Sequence, residues 1–117
     1  MEYKELGKSG EKIPVIGMGT WKMGFNPKQE VEALRYGLEK GIRFIDTAES
    51  YGSEEIVRRA IQNEKGVFVA TKVSHEHFHR QDVIDACNGS LRRLGIKRID
   101  LYQLHWPNPS IPIEETM

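Results

Sequence analysis

Three apolar runs in this chain end on an ionisable side chain: Ile42-Arg43-Phe44-Ile45 on Asp46, Val67-Phe68-Val69-Ala70-Thr71 on Lys72, and Leu101-Tyr102-Gln103-Leu104 on His105. Tyr51 comes shortly after Asp46. Gathered at one place, these groups suit proton transfer to an oxygen that gains negative charge, as a carbonyl oxygen does when hydride adds to its carbon. A phenol with a pKa near ~10 is a reluctant acid at neutral pH. A cation beside it, Lys72, would stabilise the phenolate. Asp46 would keep that buried ammonium charged and in place. His105 would donate a hydrogen bond to the substrate oxygen and orient it.

Each residue has a plainer reading on its own. Asp46 and Lys72 could form a structural ion pair at a rim, since such pairs also perturb pKa values. Tyr51 could be an amphipathic surface tyrosine, and His105 a satisfied histidine beside a turn. Convergence of all four is the argument for chemistry, and convergence depends on the elements that carry them.

Those elements alternate. Tyr3–Leu6 and Ile13–Ile16 flank Gly7-Lys8-Ser9-Gly10, a hairpin pattern. Gly17–Trp21 is then a short strand and its exit. Asn26 as N-cap, Pro27 at the first helical position and Gln29 completing a capping box open a helix. Val31, Leu34 and Leu38 mark its buried stripe and Gly41 its end. Ile42–Asp46 is a strand. Ser53 is placed to cap a second helix with Ile56, Val57, Ala60 and Ile61 on one face, stopped by Gly66. Val67–Lys72 is a strand of β-branched and aromatic residues. A third helix runs from about Gln81 to Leu94, with Val83, Ile84, Cys87, Leu91 and Leu94 at helical spacing and Gly95 after it. Arg98–His105 is a strand, set off from the last residues by Pro107, Pro109 and Pro112. Ile113–Met117 reads as the first turn of another helix.

After the hairpin the order is β-α-β-α-β-α-β, which implies a parallel α/β sheet covered by helices. Parallel strands place their C-terminal ends on one edge, where α/β proteins bind ligands. Side chains alternate along a strand, so Phe44 shares a face with Asp46, Ala70 with Lys72 and Gln103 with His105, and those groups converge at the barrel mouth if the faces point inward. Four such strands are half of an eight-stranded barrel, and a whole one needs ~250 residues. The expectation is a truncated chain, the N-terminal half of a (β/α)8 TIM barrel. Residues 1–16 would be the N-terminal β-hairpin, and 17–117 strands one to four with helices one to three.

Composition narrows the partners. Lys plus Arg number 17 and Asp plus Glu number 17. A zero balance argues against nucleic acid or an anionic membrane as partner. No apolar run approaches membrane-spanning length, and Met1–Glu5 opens no signal peptide. The single Cys87 forms no internal disulfide and sits among apolar helix positions. It reads as a buried, inert thiol and favours a cytoplasmic location. His75, His77 and His79 would share a face on an extended strand and could bind a metal. A solvated loop is the reading adopted, with no metal, because no second ligand cluster completes a site.

Phe44-Ile45-Asp46-Thr47-Ala48-Glu49-Ser50-Tyr51-Gly52, Ala70-Thr71-Lys72-Val73 and Leu104-His105-Trp106-Pro107 resemble signature segments of the aldo-keto reductases. Ile13–Trp21 resembles their opening hairpin and first strand, and Arg92–Gly95 with Ile99–Tyr102 the approach to their fourth. The resemblance covers nearly the whole chain. It implies NAD(P)H-dependent reduction of aldehydes or ketones to alcohols, with Asp46, Tyr51, Lys72 and His105 as catalytic tetrad and Tyr51 as proton donor. It implies NADP(H), or in some members NAD(H), as cofactor, near Gly19, Thr20, Trp21 and Asp46. It also implies a small carbonyl substrate against Trp21, Tyr51, His105 and Trp106. Trp21 could equally be a core plug, and Gly19 could serve backbone geometry alone. Most cofactor contacts in that family come from the second half of the barrel, which these residues do not include. The fragment is therefore expected to be impaired or inactive alone, and its open sheet edges to favour self-association. The alternative is a non-catalytic half-barrel or a regulatory module on the same fold, as in the channel β-subunits that resemble these reductases.

Overall fold

A computed structural model describes all 117 residues. An antiparallel hairpin comes first: β1 (Tyr3–Glu5) pairs with β2 (Lys12–Pro14), Tyr3 opposite Pro14. The alternating part comes next: β3 (Met18–Gly19), α1 (Pro27–Glu39), β4 (Phe44–Asp46), α2 (Glu54–Ile61), β5 (Phe68–Val73), α3 (Arg80–Leu94), β6 (Leu101–Leu104) and the single turn α4 (Ile113–Thr116). The sheet is parallel throughout, in the order β3-β4-β5-β6. This is the N-terminal half of a parallel α/β barrel. No helix is long and apolar enough to cross a membrane.

Strand register aligns the exits. Gly19 lies opposite Asp46, Asp46 opposite Ala70, and Lys72 opposite Gln103. Hydrogen bonds extend the ladder past the strand ends: Thr20 N–H donates to the Asp46 carbonyl, Thr47 N–H to Ala70 and His105 N–H to Val73. The residues just beyond each strand are thus held nearly as firmly as the strands.

One face of the sheet is closed by helices. Val31, Leu34 and Leu38 of α1, Ile56, Val57, Ala60 and Ile61 of α2, and Leu94 of α3 pack on Ile45 and Val69 into one buried cluster. Burial of such side chains contributes about 1.5–3 kcal/mol each. Ile45 and Val69 point to this cluster, so by alternation Phe44, Asp46, Phe68 and Ala70 point to the other face. There Phe44 and Phe68 meet edge to face, their centroids 5.3 Å apart.

Several local expectations need correction. Asn26 Oδ1 does accept from Gln29 N–H at 3.5 Å, but the reciprocal bond is donated by Asn26 N–H to Glu30 Oε1 at 2.6 Å, not to Gln29. Glu30 also accepts from Gly24 N–H, so its longer reach ties the incoming loop as well. Ser53 makes no capping bond to α2; its hydroxyl is fully buried and bonded elsewhere. Helix α2 stops at Ile61, and the left-handed residue after it is Asn63 (φ 68°). Gly66 belongs to the turn into β5. On α3 the face carrying Val83, Ile84 and Cys87 is not buried: Ile84 is 44% exposed and Cys87 only half-buried. The covered face is Gly89, Ser90 and Leu94. Partial burial raises the pKa of the Cys87 thiol, which disfavours the reactive thiolate. His75–His77 forms a 3-10 turn rather than an extended strand, so the histidines do not share a face. His77 Nδ1 pairs with Glu49 at 2.6 Å and His79 Nδ1 with Glu115 at 3.1 Å.

Candidate active site

Lys72 stands at the centre of the exit edge. Its Nζ donates to Asp46 Oδ2 at 2.7 Å, to the Thr47 carbonyl at 2.8 Å and to the Tyr51 hydroxyl at 3.3 Å. An ammonium has three N–H donors, and all three are used. The Lys72 side chain is 15% exposed and that of Asp46 36%. The pair is therefore largely desolvated on the cation's side and open to a ligand on the carboxylate's side. Gln103 Nε2 lies 3.5 Å from the second Asp46 oxygen.

Tyr51 ends a 3-10 turn (Glu49–Tyr51) that leaves β4, and Gly52 (φ 70°) supplies the left-handed exit. Glu49 anchors that turn: its Oε1 accepts from Ser74 N–H at 2.7 Å as well as pairing with His77. The loop bearing the phenol is thereby fastened to the exit of β5, which bears Lys72. The lysine nitrogen also lies 4.9 Å from the Tyr51 ring centre.

His105 packs edge-on against Tyr51, with centroids 5.3 Å apart, and lies parallel to Trp106 at 5.5 Å. Its Nδ1 is 3.3 Å from Ser50 Oγ. Burial and then the Lys72 cation push its pKa below the usual histidine value, against a smaller opposing pull from Asp46. The ring is thus neutral at neutral pH.

Asp46, Tyr51, Lys72 and His105 come together as one cluster. An open cleft of about 460 Å³, lined by Trp21, Met23, Phe25, Ser50, Tyr51 and His105, lies beside it. Trp21 is 69% exposed on the wall of that cleft, with Lys22 Nζ 4.7 Å from its ring. A side chain at Gly19 would meet nothing within 4 Å, so the backbone there is open to a ligand. Thr20 is different. It is fully buried, with its hydroxyl 3.1 Å from the Asp46 carbonyl and 2.9 Å from Ser53 Oγ. Its backbone is closed as well, since its N–H donates to the Asp46 carbonyl and its carbonyl accepts from Met23 N–H, so Thr20 shapes the β3 exit without facing a ligand. Trp106 does not line that cleft; with Phe78, Leu104, Pro107, Ile111 and Ile113 it lines a second groove, which shares only His105 with the first.

Supporting groups the sequence did not single out are the Thr47 carbonyl, Ser50, and the hydroxyl hub at Ser53. That hub bonds Thr47 Oγ1 at 3.0 Å and Thr20 at 2.9 Å, joining the exits of β3 and β4 beneath the cluster. Glu54 has no signal in the sequence either. It is 2% exposed and held by Thr71 Oγ1 and Arg93 Nε, both at 2.9 Å. Strand alternation offered a signal for Gln103 alone.

The chain is similar to known proteins in sequence and in fold. The chain is 39% identical to aldo-keto reductase YhdN of Bacillus subtilis (strain 168), over 99% of this chain and 41% of that protein. It is 42% identical to methylglyoxal reductase YeaE of Escherichia coli (strain K12), over 100% of this chain and 44% of that one. It therefore spans about two-fifths of the length of these relatives. The structure superposes on the thermostable aldo-keto reductase Tm1743, crystallised with the inhibitor epalrestat, with a TM-score of 0.94 and 41% identity, over 99% of this chain and 47% of that one. It also matches an aldo-keto reductase from Klebsiella pneumoniae crystallised with NADPH, at 0.84 and 42%, over 90% of this chain and 39% of that one. The sequence model of the aldo/keto reductase family matches residues 15–117, and the chain belongs to that family.

Proposed function

We propose that this chain carries the proton-transfer half of a nicotinamide-dependent carbonyl reductase, as part of one such domain. Tyr51 is the proton donor, Lys72 and Asp46 its electrostatic support, and His105 the group that orients the carbonyl. The observation that carries this reading is Lys72 Nζ, bonded at once to the Asp46 carboxylate and the Tyr51 hydroxyl. As the phenolic proton leaves, charge develops on an oxygen that already accepts a bond from an ammonium, and needs no rearrangement to be stabilised. Asp46 and the Thr47 carbonyl fix the ammonium in that position. Neutral His105, at the same cleft, supplies a hydrogen bond without competing as an acid.

The residues present fit the nicotinamide end of an NADP(H) cofactor. The backbone at Gly19 is open, and the adjoining Asp46 carboxylate is partly exposed beside a cleft walled by Trp21. Gly19, Trp21 and Asp46 would hold that end; NAD(H) would suit the same groups. When bound, the cofactor supplies hydride to the substrate carbon. A small aldehyde or ketone suits the cleft, and the similarity to a methylglyoxal reductase agrees with a compact dicarbonyl. The lone thiol Cys87 agrees with a cytoplasmic location.

The test is NADPH oxidation with methylglyoxal and small aldehydes by the protein carrying this segment in a complete barrel. Tyr51→Phe should reduce kcat by about 10²–10⁴-fold, the usual worth of a positioned acid. Unchanged turnover would remove Tyr51 as the donor. The 117 residues alone should turn over poorly, because one half of the barrel encloses the substrate on one side only. Their unpaired edges β3 and β6 favour self-association.

A further inference from the structure

One ring nitrogen of His105 is engaged and the other is free. Nδ1 faces Ser50 Oγ at 3.3 Å, and no protein group hydrogen-bonds to Nε2. The ring packs edge-on against Tyr51 at 5.3 Å and parallel to Trp106 at 5.5 Å. Ser50 and Tyr51 belong to the same 3-10 turn and line the same cleft. One short segment therefore carries both the phenol and the hydroxyl that touches the imidazole.

A neutral imidazole holds one N–H, and the partner of one nitrogen decides the state of the other. Were Ser50 to accept, Nδ1 would carry the proton and Nε2 would offer a substrate only a lone pair. A carbonyl oxygen would be repelled there. With Ser50 as donor, Nδ1 is the acceptor and Nε2–H is left to bond a carbonyl oxygen. A serine hydroxyl rotates to suit its partner. The imidazole of histidine itself prefers its proton on Nε2, so the two preferences agree.

We propose that Ser50 is a positioning residue for carbonyl reduction: its hydroxyl donates to His105 Nδ1 and holds the ring as the Nε2–H tautomer that orients the substrate. This rests on the carbonyl-reductase reading above, and the test separates the two. Ser50 is exposed and its hydroxyl's only partner is His105, so its replacement leaves the fold intact. The experiment is ¹⁵N NMR of the histidine side chains in the 117-residue chain, at a pH where His105 is neutral. Wild type should show essentially pure Nε2–H, with the Nδ1 resonance displaced as expected for an acceptor. Ser50→Ala should lose that displacement and relax toward the tautomer mixture of free histidine; Ser50→Thr should keep it. In the complete barrel, Ser50→Ala should lower kcat about threefold to tenfold with little change in KM, and Ser50→Thr should restore it. An Nδ1–H ring in wild type, or identical Nδ1 resonances in wild type and Ser50→Ala, overturns the proposal whatever the activity. Full turnover by Tyr51→Phe overturns the proton-donor reading and leaves the tautomer measurement intact.

Discussion

The Lys72 cation acts on the His105 ring. The ammonium is one reason why the imidazole resists protonation, after burial. The folded pKa of His105 therefore lies below its unfolded value. Its contribution to stability is full above the ordinary histidine pKa of about 6.5 and is lost as pH falls through the folded value. Lys72→Met should move the NMR titration midpoint of His105 upward toward that ordinary value; an unmoved midpoint would leave burial and the weaker influence of His75 as the causes. Glu54 makes the second case. Buried at 2% exposure, it relies on Arg93, whose side chain is 40% exposed. Arg93→Ala should lower stability by about 2–3 kcal/mol, read as a lower urea midpoint with unchanged slope; a fully buried pair would lose more, because here water can reach the arginine. The ionisable residues at strand ends are legible in the sequence because alternation along a strand tells which way they face. Ser50, Ser53 and the Thr47 carbonyl are not. Small hydroxyls in loops follow no period, and a backbone acceptor has no residue type to betray it.

The elements themselves are legible to different depths. Gly95 reads as the stop of α3, and it adopts φ 66° with its N–H bonded to Leu91 and Arg92 carbonyls. A Cβ there would also lie 2.9 Å from the Arg58 side chain. Gly95→Ala should cost about 1–2 kcal/mol from the left-handed backbone alone. A fall in thermal midpoint checks this, and a neutral result would mean that the cap relaxes. Gly66 carries the same signal and misleads, because Asn63 takes the left-handed position first. Asparagine does this more readily than other side chains, yet in sequence it competes with too many other roles to be read as a stop. The stripe on α3 misleads for another reason. Helical spacing reports which residues could be covered, not whether a neighbour is present to cover Val83, Ile84 and Cys87.

At the scale of the molecule, the alternation of strands and helices is enough to foretell a parallel sheet, since βαβ connections leave little else. The sheet ends at β3 on one side and β6 on the other, each with a free row of backbone donors and acceptors. Sedimentation of the 117-residue chain should show association that grows with concentration; a monomer at every concentration would count against edge pairing. The hairpin formed by β1 and β2 occupies the opposite end from the chemistry. Met1 lies 3.7 Å from where a Cβ on Gly41 would stand, just ahead of β4, whereas Asp46 closes that strand. Anything attached to the first residue leaves from the end of the sheet away from Tyr51. A chain tethered to a sensor surface by its amino terminus would hold Tyr51 and its cleft upward, facing the solution.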